Sequence, residues 1–241
     1  MILKFCLLQL IFTFILIREC ISLCDEEKLI SFLANVQVSS PESILTLSIE
    51  ELETDICSKL EKDMKTVGKN YEECQTANPQ SLYVELITGL QALNDKLCCF
   101  ETGFYRQYQV YHPCLYELKR DFDSCNGPAD WVEEADAAQL CKISKTIVDC
   151  YYIKTAKVCG EPAALAIGGL ATHVIQSTIG HSCKDIDKFP VVKDAMPASY
   201  IERRNYSLVQ TSSSLLLILV GIGIVLIEAY TDIYTFIIGG I

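Results

Sequence analysis

Apolar residues recur along most of this chain every three or four positions, the period of a helix that turns one face to a core. Leu29, Phe32 and Leu33 keep that spacing behind Asp25, an acceptor suited to cap a first helix through Val38, before Ser39-Ser40-Pro41 breaks it. Ser48-Ile49-Glu50-Glu51 reads as a capping box, and Leu52, Ile56, Leu60, Met64 and Val67 then predict a helix ending near Gly68. Asn78-Pro79 predicts the cap and first turn of the next, with Leu82, Leu86, Leu90 and Leu93 as its core stripe. Phe104, Tyr105, Tyr108 and Tyr111 predict an aromatic seam on a helix that Pro113 interrupts. Beyond it Cys114, Leu118, Phe122 and Cys125 share one helical face. Asn126-Gly127-Pro128 predicts a stop and Asp130-Trp131-Val132-Glu133 a restart; Cys159-Gly160-Glu161-Pro162 predicts a turn into a small-residue helix from Ala163 to Gly180. No stretch alternates with the period of a strand, so the expected fold is all-α.

The two ends depart from this pattern. Residues 1–24 read as a signal peptide, with Lys4 in the n-region and an almost unbroken apolar run from Phe5 to Ile17. Small-residue rules allow cleavage after Ser22 or after Cys24, and the second leaves an even number of cysteines. Thirteen apolar residues span only about 20 Å as a helix, short of a hydrocarbon core of about 30 Å, which favours cleavage over retention. Residues 184–209, with Pro190 and Pro197 and mixed charge, read as a stalk. Residues 210–241 form a hydrophobic tail without Lys or Arg, interrupted by Glu228 and Asp232. Arg203 and Arg204 precede that tail, a charge order opposed to a type I span, so a retained helix and a signal exchanged for a glycolipid anchor both fit. The expectation is one domain, residues 25–183, held at a membrane on its extracellular side or secreted.

Cysteine changes the picture most. Cys57, Cys74, Cys98, Cys99, Cys114, Cys125, Cys141, Cys150, Cys159 and Cys183 crowd one stretch, a density of oxidised secreted domains. Up to five disulfides are expected. Adjacent Cys98 and Cys99 are poorly placed to bond each other and should tie one helix to two neighbours. Cys141, Cys150 and Cys159 sit nine apart, about 900° of helix, so a continuous helix there would be stapled on both sides. No Cys-x-x-Cys pair occurs among them, which argues against structural zinc.

The chain carries a formal charge of −11, and its outer part stays near −10 once the ends are removed. That acidity, without a basic stripe, excludes nucleic acid as a partner. Catalytic patterns are missing too. Cys98-Cys99 is followed by Phe100-Glu101-Thr102-Gly103, not by the His-Asp of secreted phospholipases, and Gly-x-Ser-x-Gly and His-Glu-x-x-His do not occur. His112, His173 and His181 are scattered, and the acids from Asp121 to Asp136 do not form a calcium loop, so they read as solvated caps. Neither a cofactor nor a metal is expected. Asn205-Tyr206-Ser207 is the one N-glycosylation sequon, placing a candidate glycan on Asn205.

The cysteine order, from the Cys98-Cys99 pair through the Cys114 and Cys125 helix and the Cys141, Cys150, Cys159-Gly160 series to Cys183, resembles the nematode family called domain of unknown function 19. The resemblance covers roughly Cys57 to Cys183. It implies a secreted or surface-displayed helical domain and supplies no catalytic residues. The family name also touches chondroitin-bearing proteins, but this sequence has no Ser-Gly attachment site. The functional expectation is a non-enzymatic, disulfide-stapled interaction or structural module with an extracellular protein or ligand as partner. Its rival is a carrier of an apolar ligand or lipid, suggested by the aromatic seam.

Overall fold

The structure, a computed structural model, describes residues 24–50, 56–99 and 103–197. The leader, Glu51 of the expected capping box, Leu52 of the stripe behind it, the hydrophobic tail and Asn205 lie outside the described residues. Among those residues the regular structure is helical throughout, an all-α bundle stapled by five disulfides.

Helix α1 (Glu26–Asn35) starts where expected, with the Asp25 side chain accepting from the Lys28 amide. It ends three residues before Val38, because Gln37 takes a left-handed conformation (φ 58°). The Gln37 and Val38 amides then donate back to Ala34 and Leu33, closing the carbonyls that a helix end leaves open. Helix α2 (Pro41–Glu50) occupies a stretch read from sequence as a break. Pro41 stands at its first position, where the missing N–H costs nothing, and Ser40 and Ser43 cap it reciprocally, each hydroxyl accepting from the other's amide. Ser48 is therefore no cap. It lies inside α2, buried, its hydroxyl 3.0 Å from that of Tyr108.

Helix α3 (Ile56–Ala77) passes straight through Gly68. A Cβ at Gly68 would meet nothing within 4 Å, and Tyr71 and Cys74 extend the buried stripe of Ile56, Leu60 and Val67. Packing of that longer stripe outweighs the roughly 1 kcal/mol that a helical glycine costs. Helix α4 (Leu82–Leu97) begins at Ser81, since Asn78 and Pro79 form a turn closed by the Ser81 amide on the Asn78 carbonyl. Leu86, Leu90 and Leu93 are core, whereas Leu82 is half-exposed.

Helix α5 (Phe104–Glu117) accommodates Pro113 rather than stopping at it. Pro113 and Gln109 lie on the exposed side, where the carbonyl that proline leaves unbonded is not shut away from solvent. The chain then tightens at Leu118 into a short helix α6 (Lys119–Phe122) and a 3₁₀ turn at Asp123–Cys125. Despite that break, Cys114, Leu118, Phe122 and Cys125 are all buried. The aromatic seam is narrower than its spacing implied: Tyr108 is core, while Phe104, Tyr105 and Tyr111 are half-buried.

Helix α7 (Ala137–Cys159) is continuous and begins at Asp136, whose carboxylate accepts from the Ala138 and Gln139 amides. The expected restart at Asp130 is only a 3₁₀ turn at Trp131–Glu133. Helix α8 (Glu161–Ile179) is the centre of the bundle. Ala163, Ile167, Leu170, Val174 and Ile175 are sealed from solvent on several faces, as a helix surrounded by neighbours requires. Its small residues allow close approach: Gly89 of α4 lies against Thr178, and Gly168 admits the ring of Phe189.

That phenylalanine belongs to the segment expected to be a stalk. Ile186 is buried, Phe189 stacks on Tyr152 with centroids 4.5 Å apart and planes 5° apart, and Val192 and Ala195 pack beside it. The compact unit therefore runs to Ala195, well beyond Cys183. Phe189 supplies the apolar surface that outweighs the two prolines of this stretch.

The bridges join Cys24 to Cys74, Cys57 to Cys98, Cys114 to Cys159, Cys125 to Cys150 and Cys141 to Cys183. Nine of these ten cysteines belong to the set expected from sequence. The tenth is Cys24, and Cys99 takes part in none of the five. Cys24 is carried to Cys74 by a clamp beside it: the Asn70 amide side chain accepts from the Asp25 N–H at 3.0 Å and donates to the Asp25 carbonyl at 2.8 Å. Helix α7 is stapled three times, to α5, to the 3₁₀ turn at Cys125 and to the segment after α8.

One titration follows from this packing. Burial raises the Glu85 carboxyl of α4 from its ordinary 4.5 to about 7, with His181 pulling the other way. The folded chain then keeps a proton that the unfolded chain has released, so stability falls as pH rises from 4.5 through about 7. Glu85→Gln removes that loss. Melting of the full chain should decline more steeply between pH 5 and 7.5 in the parent than in the variant, and equal slopes would refute the assignment.

Candidate functional site

Residues 126–133 cross from the Cys125 bridge to the start of α7, and their conformation is set from a distance by one side chain of α2. Glu42, in the first turn of that helix, is only 3% exposed. Its Oε1 accepts from the Gly127 amide at 2.8 Å and from the Trp131 indole N–H at 2.9 Å. Both donors lie more than eighty residues away in sequence. A carboxylate in the first turn also suits the positive end of the helix dipole. Gly127 fits because it lacks a side chain: a Cβ there would come within 2.5 Å of the Trp131 ring. Asp130 completes the turn in a left-handed conformation, at φ 56°.

These residues frame a cavity of about 200 Å³ whose walls include Ser40, Glu42, Leu82, Pro128, Asp130 and Glu133. Trp131, 5% exposed, forms its inner side. Glu42 Oε2 is buried without a hydrogen-bond partner among the described residues. Burial, and after it the charge of Glu42, push the Tyr151 phenol upward, so it stays protonated. Sequence reasoning took Asp130 and Trp131 for the start of a helix and did not single out Glu42. A glutamate behind Ser-Ser-Pro reads as an ordinary first-turn acid, and nothing local says that it turns inward.

A second, larger groove of about 460 Å³ runs beside the Cys57–Cys98 bridge, between Glu61, Asn94, Asp95 and Cys99. The apolar cleft between Val36, Leu47 and Leu60 measures about 10 Å³, too small for more than a water molecule. The histidines lie apart. His112 is buried and donates through Nε2 to the Ile49 carbonyl at 2.6 Å, while His173 and His181 are exposed. Among the acids near the turn, Asp136 caps α7 and Glu134 accepts from the Asp136 amide. Among the described residues no three His, Cys, Asp or Glu side chains converge as metal ligands.

No family model, no curated protein and no solved structure matches the chain. The resemblance to domain of unknown function 19 thus rests on the order of the cysteines. Among the described residues no helix is long and apolar enough to cross a membrane. The five bridges are compatible with an extracellular or secreted protein, because cytosolic thiol buffers keep such cysteines reduced.

Proposed function

We propose that this chain is an exported, non-enzymatic binding module, secreted or displayed on the outer face of the plasma membrane, which presents a rigid helical surface to an extracellular protein or ligand. The observation that carries this reading is the set of five bridges, which ties the chain from Cys24 to Cys183. Such stapling is useful where a domain meets proteases and has no need to reshape itself. The cavity under residues 126–133 supports binding over chemistry: Glu42 holds a loop in place there, with no nucleophile and base set against each other. Of the aromatic residues that suggested an apolar carrier, Tyr108 fills core and the others lie half-exposed on α5, which favours the binding module over the carrier.

The Cys24–Cys74 bridge favours one of the two cleavage frames of this reading. Cleavage after Cys24 would remove a bridged residue, so processing after Ser22 is expected. Expression of the full chain in secretory cells tests this. The mature protein should begin at Leu23 and carry five disulfides by non-reducing mass measurement. A mature chain starting at Asp25, or one retained in the cytosol with Met1 in place, would overturn the reading. So would hydrolase activity of the purified protein that one point substitution abolishes.

A further inference from the structure

The last of the five bridges ends at Cys183, so residues 184–195 belong to the compact unit without being held by a staple. Every third residue of this strap turns to the bundle. Ile186 is buried, and Phe189, Val192 and Ala195 pack on Tyr152 and Ala156 of α7 and Ala164 of α8, while Val191 between them is 93% exposed. The trough beneath suits a flat ring: Tyr152 lies parallel to Phe189, and a Cβ on Gly168 would stand 2.9 Å from that ring. Polar groups contribute nothing to the docking. Among the described residues, the hydrogen bonds and the ion pair of the strap stay within it, joining Lys188 to Asp185 and Ala195 to Val192. Its three lysines and three aspartates are all exposed. At its root Asp185 is held in the left-handed region, at φ 64°, a conformation that a non-glycine residue leaves when the turn opens.

Resting on the binding-module reading, we infer that the trough between α7 and α8 is its partner site, which takes an extended protein segment bearing an aromatic ring followed by small aliphatic residues at every third position, and that residues 184–195 occupy it in cis until such a segment displaces them. The strap itself shows what fits. An extended chain with three residues per turn presents positions i, i+3 and i+6 on one face, as Phe189, Val192 and Ala195 are presented here. A competitor of that pattern gains the same contacts and strands no buried polar group, because the strap makes no hydrogen bond to α7 or α8 among the described residues. Four apolar side chains have to offset the ordering of about a dozen residues, so the docked strap opens at little cost. The pivot is fixed, since Cys183 stays bridged to Cys141 while the chain turns at Asp185. Occupancy in cis lowers the apparent affinity for a partner by the fraction of chains that are closed, which makes the strap a regulator of the site.

A peptide of residues 184–197, with blocked ends and a fluorescent label, is titrated into the full oxidised chain and followed by anisotropy. Phe189→Ala loosens the cis strap and should bind the peptide about tenfold more tightly than the parent, in which the strap competes. Val192→Asp, which brings a charge against the apolar floor, should act in the same direction. The peptide with alanine for its phenylalanine should not bind, whereas serine in place of its lysines and aspartates should leave binding intact. Adding Gly168→Ala to Phe189→Ala puts a Cβ where the ring would lie and should weaken binding about tenfold, with cooperative melting kept because alanine suits a helix. The inference fails if the peptide binds neither variant, if parent and variants bind it equally, or if Gly168→Ala leaves binding unchanged. It fails too if Phe189→Ala and Val192→Asp both lose cooperative melting, since the strap would then be core. A parent that sediments as a dimer, dissolved by Phe189→Ala, would give the trough to a second copy and overturn occupancy in cis. The mature N-terminus and the bridge count do not depend on the trough, so the two readings stand or fall separately.

Discussion

Reduction of the disulfides should unfold this domain at room temperature and neutral pH. The bridges close loops of 25 to 50 residues, each of which stabilises a chain by about 3–4 kcal/mol on a loop-entropy account. Three of them share α7, with the Cys125–Cys150 loop nested inside Cys114–Cys159 and Cys141–Cys183 overlapping both, so the terms do not simply add. Even about half their sum approaches the whole net stability of an ordinary domain, about 5–15 kcal/mol. The full chain in excess reductant should therefore lose both its near-ultraviolet circular dichroism and its cooperative melting transition. The double variant Cys24→Ser, Cys74→Ser opens only the N-terminal loop and should keep a cooperative transition at lower temperature. A reduced protein that melts cooperatively within a few degrees of the oxidised one would show that the apolar core suffices alone.

Replacing Gly89 by alanine should destabilise the fold by about 2–3 kcal/mol, a lowering of melting temperature by about 5–10 °C. A Cβ at Gly89 overlaps the hydroxyl of Thr178 and comes within 2.9 Å of the end of Ile44. Ile44 can turn. The Thr178 hydroxyl is buried and already donates to the Val174 carbonyl at 2.9 Å, so it is held in place. The ordinary gain from replacing a helical glycine, about 1 kcal/mol, is included in this figure and does not reverse its sign. The second variant Thr178→Ala removes the obstructing atom and should recover at least half of the loss when combined with Gly89→Ala. Melting curves of the two single variants and the double variant test this. A Gly89→Ala protein within 0.5 °C of the parent would mean that α4 and α8 are not packed as closely as the structure has them.

Local signals in the chain went far for the helices. Asp25 as a cap, the stripe from Ile56 to Val67 and the nine-residue spacing of Cys141, Cys150 and Cys159 depend on near neighbours and helical period, and each lies in a helix as expected. The misreadings share a cause. Pro41, Gly68 and Pro113 were taken as stops, yet one begins a helix and two lie within one, because a proline at the first position is harmless and exposed or strongly packed segments tolerate a breaker. In the same way Pro190 and Pro197 suggested a stalk over residues 184–209, while Phe189 found a flat surface on Tyr152 above Gly168.

What the sequence determined by itself is the class: an all-α chain whose cysteine density calls for disulfides, legible because apolar period and composition are local properties. Which cysteines pair is not local. A bridge needs two Cα atoms within about 7 Å, and only the packing of α1 on α3 brings Cys24 within 4.4 Å of Cys74 and leaves Cys99 outside the five. The same holds for Glu42. Its carboxylate meets Gly127 and Trp131 only once α2 lies beside the loop that follows Cys125, so one oxygen of a residue from the first turn of α2 sets a loop more than eighty residues away.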